Sequence, residues 1–141
     1  MKTPDSKTAA HKREMLLRRG RSAFKELIRL HGGTLTAEKV ANMLGIERTE
    51  VLQLMSDSQL LGYEQEGQMV FPAFQFAGDH LVPEFSAILS RLDTTNAIAQ
   101  IRFFLTPDID LGCSPIESLK QGKNIDLVKL RALQFGHQLA V

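Results

Sequence analysis

Arg48, Thr49 and Gln53 are the residues whose types and spacing best fit a chemical task. Carried on one helix, the arginine can donate two hydrogen bonds to a guanine edge, the glutamine suits adenine, and the threonine can touch a phosphate or a thymine methyl. Lys39, Arg18, Arg19 and Arg21 add the cations that a phosphate backbone attracts. Other chemistries are poorly served. Ser114 has no histidine near it in sequence, and Asp108 and Asp110 lie in a turn-forming stretch where carboxylates commonly cap backbone amides. His11, His31, His80 and His137 are widely separated and lack acidic or thiol partners at ligand spacing. Cys113 stands alone and forms no internal disulfide. No glycine-rich phosphate loop appears, so these residues predict a binding protein rather than an enzyme, with no metal and no cofactor.

The elements that would position Arg48, Thr49 and Gln53 can be read position by position in LTAEKVANMLGIERTEVLQLM, residues 35–55. Val40, Leu44, Ile46, Val51 and Leu54, with Met55, fill the apolar places of a helix-turn-helix. Ala41 supplies the small residue where the two backbones approach, and Gly45 the left-handed turn. Thr36 is the expected cap of the first helix. The second helix should run from about Glu47 to Ser56, leaving Arg48, Thr49, Leu52 and Gln53 among the outward positions. Alternating residues on either side of Glu66-Gly67 then predict a hairpin that ends at Pro72. A hairpin directly after a helix-turn-helix is a wing.

Upstream, Leu17, Phe24, Leu27, Ile28 and His31 recur at helical spacing from Lys12 onward, and Gly32-Gly33 ends the helix. Residues 1–11, polar and rich in Lys, Thr and Ser, read as a disordered tail. Charge is divided unevenly: residues 1–31 carry a net +6, and the remaining 110 a net −5, although the whole chain is only +1. The expected reading head is itself acidic, because Lys39 and Arg48 face Glu38, Glu47, Glu50, Glu64 and Glu66. DNA binding would therefore draw its positive charge from Arg18, Arg19, Arg21 and Lys25, in the same subunit or in a dimer partner.

Beyond a connector at residues 77–83 and a linking helix, EFSAILSRL, lies the stretch FLTPDIDLGCSPIESLKQG. Thr106-Pro107 stops one helix, since a residue before proline is pushed from helical angles. Ser114-Pro115-Ile116-Glu117 starts the next with an N-cap, a proline at the first position and a glutamate at the capping-box position. A further helix follows in IDLVKLRALQFG. Phe103, Phe104, Ile116, Leu119, Ile125, Val128, Leu130 and Leu133 read as its shared core, and HQLAV after Gly136 as a short tail.

The order FL-TP-acid-LG-x-SP-aliphatic-E-x-L over about residues 96–135 resembles the C-terminal domain of the Xre/MbcA/ParS-like antitoxins. One residue fewer separates Gly112 from Ser114-Pro115 than is common there. The RGR-x-x-F helix, GGTLTAEKVA and FPAFQF resemble the excisionase-like module that precedes this domain in part of the family. The resemblance implies a partner, a RES-type toxin that consumes NAD, and places its contacts at Thr106, Pro107, Asp108, Leu111, Gly112, Ser114, Pro115, Arg131 and His137.

Composition fits this outline. At 43% hydrophobic residues the chain is of the globular kind, and the absence of an apolar leader or of about 18 consecutive apolar residues points to the cytoplasm. The expected architecture is mainly α: a winged helix-turn-helix at residues 12–76, a connector and linking helix at 77–93, and a helical toxin-binding-type domain at 94–141. A homodimeric antitoxin that binds DNA at its own promoter and represses its operon is the leading expectation. The alternative is a stand-alone regulator whose C-terminal domain dimerises.

Overall fold

The computed structural model describes the backbone of residues 5–139 and the side chains of residues 8–135. It divides into two compact units, one ending at Gly33 and the other beginning at Thr34.

The first unit is a single helix, α1 (Asp5–Leu30). It starts well before Lys12, so residues 5–11 are helical rather than part of a disordered tail; Ala9, Ala10, Lys12, Arg13 and Glu14 are good helix formers that carry the turn N-terminally. Residues 1–4 lie outside the described residues. Leu17, expected on an apolar face, is 56% exposed.

The second unit begins with β1 (Thr34–Thr36), α2 (Ala37–Leu44) and α3 (Arg48–Ser56), followed by β2 (Tyr63–Gln65) and β3 (Gln68–Pro72). Thr36 caps α2 by accepting a hydrogen bond from the Lys39 amide at 3.2 Å, and Gly45 ends it at φ 69°, which a side chain would resist. The three strands pair antiparallel in the order β1-β3-β2, with Leu35 opposite Phe71 and Glu64 opposite Met69. The wing therefore has a third strand that the hairpin pattern did not announce. Val40, Ala41, Val51, Leu60 and Phe71 make the buried core between the helices and the sheet. Leu52, expected to face outward, is half-buried against it.

A short 3-10 turn (Ala73–Gln75) leads into β4 (Phe76–Ala77) and β5 (His80–Leu81), a small hairpin within the stretch expected to be a plain connector. Four helices follow among the described residues: α4 (Phe85–Arg91), α5 (Ala97–Leu105), α6 (Pro115–Gln121) and α7 (Ile125–Leu139). Asn96 caps α5 through the Ala99 amide, and Ser114 caps α6 through the Glu117 amide. Gly136 does not end α7, which runs on to Leu139. Leu130 and Leu133, expected in the core, are 46% and 52% exposed; Val128 and Ala132 hold the inward face instead.

The winged part and the C-terminal helices share their packing. Phe74, just after β3, meets Phe85 of α4 edge-on and Phe104 of α5, and Phe85 stacks on Phe104 with ring centroids 4.5 Å apart. Gln75 is fully buried: its carbonyl accepts from the Leu61 amide, and its NH2 donates to the carbonyls of Leu61 and Pro72 at 2.8 and 3.0 Å. Ser86 of α4 donates to the Gln59 carbonyl at 2.7 Å. No helix of the described residues is long and apolar enough to cross a membrane.

Candidate nucleic-acid interface and C-terminal cleft

The turn at Gly45 sets α3 on α2 with Val51 inward, which leaves Arg48, Thr49, Glu50, Gln53 and Ser56 exposed along one helix. Arg48 stands at the start of α3 and borders a hollow of about 320 Å³ together with Thr36, Glu38, Gly67 and Gln68. The first turns of α2 and α3 and the tip of the wing thus open onto one surface. Arg48 and Thr49 are both exposed in the first turn of α3. Gln53 is engaged: its NH2 donates to Asp57, one turn along, at 3.0 Å. Lys39 is exposed on α2.

The wing tip is a two-residue turn in which Glu66 (φ 52°) and Gly67 (φ 82°) both take positive φ. It carries exposed Glu64 and Glu66, so the acidic character read from the sequence is a surface property here. On α1, Arg18 is bonded to Glu14 at 2.6 Å and Arg29 to Glu26. Arg19 and Arg21 are exposed and have no ion-pair partner among the described residues.

Residues 30–76 match the family model "DNA-binding protein Rv2175c, wHTH domain". This third of the chain is a winged helix-turn-helix domain of the Rv2175c type. The likeness of fold runs further. A structure described as the NMR structure of Rv2175c superposes with a TM-score of 0.61 over 73% of this chain and 80% of that one, at 21% identity. No curated protein matches the chain. Neither Rv2175c match bears on the Xre/MbcA/ParS-like antitoxin family or on a toxin.

In the C-terminal helices the loop between α5 and α6 is closed by a bridge from Asp108 to Cys113, the Asp108 amide donating to the Cys113 carbonyl at 3.0 Å. Asp108 Oδ1 accepts from the amides of Asp110 and Leu111, and Oδ2 accepts from Arg131 Nε at 2.9 Å. Arg131 also donates to Asp110. Burial pushes the Asp108 carboxyl upward, but the Arg131 hydrogen bond, the two amides and the guanidinium charge prevail and hold it below the usual aspartate range. The same contacts raise Arg131 further.

Five residues assigned to partner contact, Thr106, Pro107, Asp108, Pro115 and Arg131, line one cleft of about 250 Å³ between α5, the loop and α7. Leu111 and Ser114 are buried, so they shape the loop rather than offer a free contact surface, and Pro115, largely buried at the start of α6, shows only its cleft-lining side. Gly112 is exposed at the loop's far turn. The side chain of His137 lies outside the described residues. Arg102, Phe103, Gln134 and Phe135 complete the cleft without having been singled out in the sequence. The helical spacing of Arg102 to Thr106 and of Arg131 to Gln134 and Phe135 was the available signal. Among the described residues, no group of three or more His, Cys, Asp and Glu side chains gathers to hold a metal ion.

Proposed function

We propose that this chain is a sequence-reading DNA-binding regulator whose C-terminal helices hold a protein partner. The observation that carries the DNA reading is Arg48, exposed at the first turn of α3 beside the wing of an Rv2175c-type domain. In this reading α3 enters the major groove, Arg48 takes a guanine edge, and Thr49 contacts the neighbouring backbone. The wing carries only acids and α3 has no net charge, so Arg19 and Arg21 of α1, from the same subunit or a dimer partner, supply phosphate contacts, with Arg18 released from Glu14 on binding. A homodimer would present two such helices to paired half-sites.

The finer proposal is that the partner is a RES-type toxin, that this chain neutralises it, and that it represses the shared operon. Its support is the motif at residues 96–135, with Thr106, Pro107, Asp108 and Arg131 gathered at one cleft.

A shift assay with the DNA upstream of the coding sequence tests the first proposal. Arg48→Ala is expected to weaken specific binding by roughly 1–3 kcal/mol, and Arg19→Ala with Arg21→Ala to flatten the salt dependence. Unchanged affinity in both variants refutes the assigned interface. Co-expression of the neighbouring reading frame, with and without this chain, tests the second through growth and cellular NAD. A harmless neighbour, or toxicity that this chain leaves untouched, refutes the antitoxin proposal and leaves the DNA proposal standing.

A further inference from the structure

The cleft between α5 and α7 has a composition that specifies what would enter it. Its walls are Phe103 and Phe135, whose rings meet edge-on at 5.4 Å, with Pro107 and Pro115 beside them. At about 250 Å³ it falls below the roughly 300–1,000 Å³ of small-molecule sites, and matches one or two apolar side chains instead. The charges around it are unequal in their satisfaction. Arg131 is spent on Asp108 and Asp110, whereas Arg102 is exposed at the rim and has no ion-pair partner among the described residues.

Each of the two helices also carries one exposed aliphatic residue a turn away from a cleft-lining residue. Ile98 lies one helical turn before Arg102 on α5, and Leu130 one turn before Gln134 on α7, and each is 46% exposed. An exposed aliphatic beside a cleft on two helices is the arrangement that accepts an amphipathic segment laid along the groove.

From this geometry we propose that the α5–α7 groove is a docking site for a protein segment that pairs apolar anchors with carboxylates. An aliphatic or aromatic side chain packs against the joined rings of Phe103 and Phe135, its neighbours cover Ile98 and Leu130, and a glutamate or aspartate takes the unspent guanidinium of Arg102. The Asp108–Arg131–Asp110 clamp holds the loop wall in place before anything binds, which lowers the ordering cost of association. This rests on the reading of the C-terminal helices as partner-binding, and on nothing about the partner's identity.

The test uses the full chain and three labelled 14-residue helical peptides. One has leucines on one face and glutamates elsewhere, the second replaces the glutamates by lysines, and the third replaces the leucines of the first by serines. Fluorescence anisotropy is expected to show binding of the first alone, at least tenfold weaker with Arg102→Glu, a variant that should instead take the lysine peptide. Amide shifts in labelled protein should cluster at residues 98–106 and 130–135. Circular dichroism confirms that the exposed substitution leaves the fold intact. Absence of binding, equal binding of acidic and basic peptides, or shifts confined to α1 overturns the proposal. So does a dimer of the chain that Arg102→Glu dissociates, because the groove would then be covered by a second copy. The co-expression experiment reads the toxin proposal separately, so a partner that binds Arg102→Glu undiminished removes this site without removing the partner.

Discussion

Asp108 shows how far one side chain's role can be read from its neighbours. Its capping of the Asp110 and Leu111 amides is local, and was legible in the acidic turn sequence. Its pairing with Arg131, 23 residues on, depends on how α7 packs and left no local signal. Because the folded carboxyl titrates below its ordinary value of about 3.8, the pairing contributes stability fully above that value and loses it as pH falls through the folded one. The advantage of the wild type over Asp108→Asn, followed as the urea midpoint, is therefore expected to be full at neutral pH and to fade below about pH 4. Gln53 gives the opposite lesson. Its residue type suits adenine, yet Asp57 holds its amide, and a bond between two exposed side chains one turn apart is a weak competitor that DNA can displace.

At the scale of elements, α2, α3 and the hairpin were legible because short-range rules fix them: Thr36 caps, Gly45 turns, and Glu66-Gly67 reverses the chain. The strand β1 was not. Three residues have no period to detect, and Thr34–Thr36 becomes a strand only because β3 lies alongside it. The two-residue strands β4 and β5 leave no pattern in the sequence for the same reason. The wing tip also yields a test, since Glu66 occupies a positive φ that asparagine or glycine accepts more easily. Glu66→Asn is expected to stabilise by roughly 0.5–1 kcal/mol, seen as a rise in Tm. The same change removes an acid from the surface proposed to face DNA, so affinity in the shift assay should rise as well.

Over the whole second unit, the apolar spacing of the C-terminal helices gave their inward faces but not their partners. It counted Leu130 and Leu133 into the core, when the available surface of α4, α5 and α6 covers only the stripe through Val128 and Ala132. It also offered no reason to join the winged part to the rest. Phe74, Phe85 and Phe104 make that join, and each ring is buried. Phe104→Ala is expected to cost roughly 3–5 kcal/mol. Wing and C-terminal amides should then lose hydrogen-exchange protection together; loss confined to the C-terminal helices would mean that the aromatic contact does not couple them.

Gln75 stands in that join as a side chain in the role of a peptide group, with one accepted and two donated bonds, and is fully buried. Asparagine is a methylene too short to span the gap, and leucine abandons three backbone groups. Glutamate is the instructive replacement. Protonated, Gln75→Glu keeps the acceptor and one donor; ionised, it buries a charge against two carbonyl oxygens. The root of the wing would become a latch worked by acid, closed at low pH and sprung near neutrality, detectable as a stability that rises as pH falls while that of the natural chain does not. An uncharged amide at this position keeps the attachment indifferent to pH.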